Sequence, residues 1–119
     1  MSEWVDAGTP EQIEDPGSRG FCIEGLSGAA FFVVQKDGQL QAYRNRCPHT
    51  GAPMEWVPDQ FLDLDKSFIE CALHGALFRV SDGECLRGPC AGQALQGLPL
   101  RVQAGRISVD IATLRESQD

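Results

Sequence analysis

Both histidines of this chain lie close to a cysteine. The two stretches are Cys47-Pro48-His49-Thr50-Gly51 and Cys71-Ala72-Leu73-His74-Gly75, a C-x-H and C-x-x-H pair with 21 residues between the halves. Thiolate and imidazole are the good side-chain ligands for a borderline or soft metal. Cys47, His49, Cys71 and His74 together offer two sulfurs and two nitrogens from two short loops. Taken bare, that set could close a zinc tetrahedron and stabilise a binding module. Several neighbours favour an iron–sulfur cluster instead. Each histidine leads into a glycine, Gly51 or Gly75, where backbone N–H groups can approach bridging sulfides closely. Further on, Gly88-Pro89-Cys90-Ala91-Gly92 is a stiff turn suited to covering a centre that must be shielded from water.

These loops need a scaffold, and the rest of the chain reads as β-structure. Residues 31–43 form two strands around Asp37-Gly38, a strong hairpin-turn pair. Residues 76–85 repeat the device around Asp82-Gly83. Leu98, Leu100 and Val102 alternate with polar residues, turn at Ala104-Gly105, and are answered by Ile107, Val109 and Ile111. Trp4-Val5 and Phe21-Cys22-Ile23 read as shorter strands, Gly8 to Gly20 as a surface loop, and Arg115 to Asp119 as a frayed tail. Helix is nearly absent; the one short candidate, Asp59 to Lys66, reads as a solvated turn. The ligand loops therefore sit between strands, on rigid sheet.

A length of 119 residues bounds the chain to one domain. A formal charge of −7, from 17 acidic and 10 basic residues, leaves no basic stripe for nucleic acid. It serves solubility, and it could steer the protein toward a basic partner. No apolar run nears the roughly 20 residues that cross a bilayer, and the start lacks a secretory pattern, so a cytoplasmic protein without a membrane partner is expected. Five cysteines, an odd number, argue for ligands and thiols over a disulfide framework. Cys22 reads as a small core hydrophobe. Cys85 and Cys90 flank the Gly-Pro turn as inert thiols, as a disulfide, or as neighbours of the cluster. Trp56 and Phe61 pin the spacer to its own domain or form a contact surface. Leu73, Pro48 and Pro89 would make a small apolar docking tip, and an acidic rim around it would suit brief redox encounters.

With these motifs in view, the chain resembles the Rieske [2Fe–2S] family, and within it the soluble, low-potential Rieske-type ferredoxins. The resemblance spans most of the chain and implies an all-β fold. That fold is an antiparallel sandwich or barrel, residues 1–119, with a small cluster-binding subdomain at about 45–92 formed by loops inserted between strands. It implies one [2Fe–2S] cluster, with Cys47 and Cys71 on one iron and His49 and His74 on the other, and with Gly88-Pro89 in the covering loop. Two features depart from the family pattern. The spacer is longer than in the small ferredoxins. The extra cysteine that follows each motif in the respiratory branch is missing, since Thr50-Gly51-Ala52-Pro53 and Cys71-Ala72-Leu73 stand there.

The resemblance implies a one-electron carrier, not an enzyme, that passes electrons from a reductase to a terminal oxygenase-type component. No histidine remains for a mononuclear iron, and a saturated cluster leaves no place for a small-molecule substrate. The alternative is a Rieske-like small subunit of a larger redox enzyme such as assimilatory nitrite reductase. With two ferric irons, two sulfides, two thiolates and neutral imidazoles, the oxidised centre is neutral and one electron makes it singly negative. High-potential family members resemble one another in placing Ser and Tyr hydroxyls near the second motif, where this chain has Ala76 and Phe78. The potential should therefore lie at the low end, roughly −150 mV. Ala76→Ser and Phe78→Tyr should each raise it in a potentiometric titration, and a strongly positive wild-type midpoint would contradict the reading. The midpoint should also fall as pH rises past the pKa of the histidine ligands, because losing a ring proton favours the oxidised form.

Overall fold

The computed structural model describes residues 2–23, 28–46, 48, 59–71, 75–88 and 92–116. Its strands are Trp4–Asp6 (β1), Gly17–Cys22 (β2), Ala29–Lys36 (β3), Gln39–Arg44 (β4), Ile69–Glu70 (β5), Leu77–Phe78 (β6), Cys85–Arg87 (β7), Gly97–Leu98 (β8), Leu100–Gln103 (β9) and Arg106–Asp110 (β10). They form three open antiparallel sheets, ordered β1-β10-β9, β2-β3-β4-β8 and β5-β6-β7. The all-β expectation holds, as stacked sheets without a closed barrel.

β3 explains the stacking. It is a continuous apolar run, the pattern of a strand buried on both faces. Phe31 and Val33 point to one side, where they pack with Ala42, Leu98, Ile107 and Val109. Phe32 and Val34 point to the other, where they meet Tyr43, Phe61, Ile69, Phe78 and Cys85. The sheet containing β3 is therefore the middle layer. β1-β10-β9 covers one face and the small β5-β6-β7 sheet covers the other.

The turns follow their sequence signals. Asp37 and Gly38 both have positive φ, 54° and 76°, as a two-residue type I′ hairpin requires. The Asp15 carboxylate accepts both of their N–H groups at 2.8 Å. Ala104 and Gly105 turn the β9–β10 hairpin in the same way.

The structure corrects three expectations. Residues 17–20 are an edge strand, not loop, paired with Gln35 to Phe32 of β3. Two glycines disguised it in the sequence. A Cβ on Gly20 would sit 3.2 Å from the Phe61 ring, and one on Gly17 would sit 2.6 Å from the Glu14 carbonyl, so close packing explains the small residues there. Cys22 is exposed, because a register shift after Phe21 turns the strand end away from the core. Beyond β10, Ala112–Glu116 forms a short helix (α1) where fraying was expected from Arg115. Asp110 Oδ1 accepts the Ala112 N–H at 3.0 Å, and Leu114 is buried against Ile111. Asp59 to Lys66 holds no helix, but it is not the solvated turn expected throughout: Phe61 is buried and Leu62 bridges to Ile69 before the chain turns near Leu64 and Asp65.

Tyr43 ties the middle layer to the small sheet. Its hydroxyl donates to the Val80 carbonyl at 2.6 Å, and its ring lies against the β6–β7 turn. A Cβ on Gly83 would come within 2.8 Å of Tyr43 Cε1. Burial pushes the phenol pKa up, and the negative charge of Asp82 adds to it. A group whose folded pKa is raised gives its full stability below the unfolded pKa, about 10 for a phenol, and loses it as pH climbs above that value. This is the only tyrosine in the chain, so tyrosinate absorbance reports it alone. The native protein should show no ionisation step near pH 10, and the denaturant-unfolded protein should show one there. In Tyr43→Phe, the alkaline loss of stability attributed to this residue should disappear.

Candidate metal centre

The small sheet is the platform for the second ligand motif. Ile69 pairs with Phe78, and Glu70 pairs with Leu77. Ile69 and Phe78 are both fully buried, and with Ala76 and Cys85 they make an apolar floor. Cys71 leaves β5 at the edge of that floor with 0% of its surface exposed. Its N–H donates to the Ala76 carbonyl at 2.9 Å, and its own carbonyl accepts the Gly75 N–H at 2.8 Å. These two bonds close the base of the loop that carries His74. Gly75 has φ +67°, a left-handed conformation that a side chain would strain.

Gly88 packs directly on this base. It has φ +113°, and a Cβ there would lie 2.9 Å from both Cα and Cβ of Ala76. Its missing side chain lets the Gly88 backbone approach Ala76 this closely. On the far side, Cys85 is buried in β7, and its thiol donates to the Arg87 carbonyl at 3.4 Å.

The long spacer is locked where it re-enters the described residues. Ser18 Oγ donates to the Asp59 carbonyl at 2.8 Å and accepts the Phe61 N–H at 3.1 Å. Asp59 Oδ1 accepts the Gly20 N–H at 2.8 Å. Phe61 is fully buried and stacks on Phe32 at 4.1 Å between centroids. Phe61 therefore pins the loop, one of the two roles expected of it.

Of the four expected ligands, Cys71 is described; Cys47, His49 and His74 lie outside the described residues, as do Leu73, Trp56, Pro89 and Cys90. Pro48 is half-buried. Among the described residues no group of three histidine, cysteine or carboxylate side chains could hold a metal elsewhere. What is described fits the expected cluster. A buried sulfur donor stands on an apolar floor, and among the described residues no buried side-chain nitrogen or oxygen lacks a hydrogen-bond partner. A centre with no net charge in its oxidised form can sit there without a buried counter-ion. Two contributors escaped the sequence reading. Tyr43 was detectable as the lone tyrosine, near the end of the alternating strand Gln39–Arg44. The Gly88–Ala76 contact is set by tertiary packing and leaves no local signal.

A family model described as the Rieske [2Fe–2S] domain matches residues 3–109. The chain belongs to that family. It is 31% identical over 104 residues to a 3-phenylpropionate/cinnamic acid dioxygenase ferredoxin subunit of Photorhabdus laumondii, covering 87% of this chain and 90% of that one. A protein of the same description from Shigella flexneri is 34% identical over 74 residues, 62% of this chain and 65% of the relative. The matched segment therefore spans just under two thirds of that relative. The fold is also that of the ferredoxin of carbazole 1,9a-dioxygenase from Nocardioides aromaticivorans, with a TM-score of 0.70, 24% identity, and coverage of 91% and 97% of the two chains. A Rieske domain implies a [2Fe–2S] cluster, so the zinc alternative falls away.

Gly88→Ala should destabilise the protein by about 1–3 kcal/mol, combining overpacking with backbone strain. Ala76→Gly in the same chain should return part of that loss by removing the clashing methyl group, leaving the strain at residue 88. Urea unfolding of the two variants beside the parent measures both steps.

Proposed function

We propose that the protein is a Rieske-type ferredoxin that carries one electron at a time from a reductase to a terminal oxygenase-type component. In this reading one [2Fe–2S] cluster is held by Cys47 and Cys71 on one iron and by His49 and His74 on the other, within a single domain spanning residues 1–119. The observation that carries it is Cys71, buried at the mouth of a hydrogen-bonded loop on an apolar floor, in a chain whose relatives are ferredoxin subunits. The cluster supplies a reversible one-electron couple.

The chain's own residues supply the surroundings. Ile69, Ala76, Phe78 and Cys85 exclude water from the Cys71 side. The closure of the 71–76 loop and the Gly88 contact fix the ligand loop, so little structure needs to rearrange between redox states. Ala76 and Phe78 offer no side-chain donor on that side, which favours a low potential. Among the described residues no helix is long and apolar enough to cross a membrane, in keeping with a carrier that works in the cytoplasm.

Aerobic purification should give a red-brown protein with two irons and two acid-labile sulfides per chain, and a reduced-state EPR signal of low average g. His49→Cys and His74→Cys should each change the visible spectrum. A colourless protein, or a spectrum indifferent to both substitutions, would contradict the proposal.

A further inference from the structure

The chain's cations are not evenly engaged. Away from the ligand loops, Arg106 forms a two-point pair with Asp6, at 2.9 and 2.7 Å. Arg79 pairs with Asp82 at 2.8 Å and Lys66 with Glu14 at 3.1 Å. Arg101 lies over the Trp4 ring at 4.0 Å and Arg19 over Phe21 at 5.4 Å. Lys36 donates to the Ser67 carbonyl at 3.1 Å. Among the cations whose side chains are described, three differ, and all three border the ligand loops. Arg46 directly precedes Cys47, and Arg87 directly precedes Gly88. Both are exposed, and among the described residues neither side chain has an ionic, hydrogen-bonding or ring partner. Arg44, at the end of β4, reaches only the amide oxygen of Gln96, at 3.3 Å. Burial lowers its pKa, and the charge of Arg46 lowers it further.

Resting on the electron-carrier reading above, we propose that Arg44, Arg46 and Arg87 form a cationic rim at the cluster end that docks a redox protein presenting carboxylates around its own cofactor. The sign is opposite to that suggested by the net charge of −7. Among the described residues, two carboxylates come near this end. Glu70 shares a row with Leu77 and Arg87 across the small sheet, two strand spacings or about 10 Å from Arg87. Asp59 is turned to β2, where it accepts the Gly20 N–H. The bulge in β7 leaves Leu86 41% exposed beside Arg87, and Pro48 is half-buried beside Arg46, giving the rim apolar contacts. Ions screen charges beyond about 10 Å at ordinary salt, so a partner in contact here senses the guanidiniums more than the distant acids. The broader negative charge disfavours approach by other faces.

Two measurements test this without knowing the partner. In the first, reduced protein is oxidised by hexacyanoferrate(III). One electron leaves the protein and hexacyanoferrate(II) forms, with no bond or proton change. For an anionic oxidant meeting a cationic exit, the rate constant should fall about threefold as salt rises from low to physiological ionic strength. In Arg46→Gln/Arg87→Gln the dependence should invert, and in Lys36→Gln/Lys66→Gln it should match the parent. A parent rate that rises with salt overturns the proposal.

The second measurement needs no electron transfer. Arginines are modified with phenylglyoxal, with and without redox-inert hexacyanocobaltate(III), and the sites are read by mass spectrometry. The anion should protect Arg46 and Arg87 while leaving Arg19 unprotected; equal protection at all three, or none at the first two, overturns the proposal. A protein that purifies without a cluster would fail the carrier reading in the first assay, while the footprint would still decide the charge of this face.

Discussion

The structure depends on one strand being buried on both faces. β3 places Phe31 and Val33 against the β1-β10-β9 layer and Phe32 and Val34 against the small sheet beneath Cys71. A strand so placed cannot shift by one residue, because a slip would exchange the two apolar sets and unpack both layers together. At one end of β3, Asn45 donates its side-chain amide to the Ala29 carbonyl at 2.9 Å, next to the start of the first ligand motif. At mid-strand, Phe32 receives Phe61, which fixes the end of the spacer. Both chain segments that lead to the two Cys-His motifs are therefore referenced to a single rigid element.

Rigidity of this kind matters more for an electron carrier than for a catalyst that must admit a substrate. A one-electron change at a centre shared between two irons moves charge without making or breaking a protein bond, and the less the surroundings move, the lower the barrier. The described surroundings are of that type. The hydrogen bonds at the 71–76 closure are made by backbone, the floor is aliphatic and aromatic, and the nearest turn is clamped by Tyr43. The same features bear on the potential of the proposed cluster. Cys71 shares its buried cluster with Ala76 and Phe78, which bring methyl and ring hydrogens and no hydroxyl donor.

The ligand motifs and hairpins were legible because each rests on local chemistry. Asp37-Gly38 and Ala104-Gly105 announce their turns by tolerance of positive φ. Ile107 and Val109 announce a half-buried strand by alternation. What was missed had a tertiary cause. β2 looked like a loop because Gly17 and Gly20 carry no side chain, and each is small on account of a residue elsewhere, Glu14 and Phe61. Cys22 looked inward by alternation, but a register shift cancels the alternation at that point. Of the site itself, the sequence offers four candidate donors, and the described residues include one of them, Cys71, buried on its apolar floor. The closeness of Gly88 to Ala76 depends on the pairing of β6 with β7.

Net charge shows the same division between what a sequence sums and what a fold arranges. The value of −7 belongs to the whole chain and governs its solubility and its long-range field. Docking depends on the few charges within a screening length of the contact, and the fold decides which those are. Here Asp6, Asp82 and Glu14 are each occupied by a cation. Arg46 and Arg87 are carried by strand ends to the loop bases, where among the described residues neither is paired with a carboxylate. Leaving cations uncompensated at one end of an acidic molecule gives up small surface ion pairs, worth up to about 1 kcal/mol each. In exchange it gives the molecule a directional field. For the carrier proposed above, which would meet its partner with the cluster foremost and then leave again, orientation would be worth more than that small gain in stability.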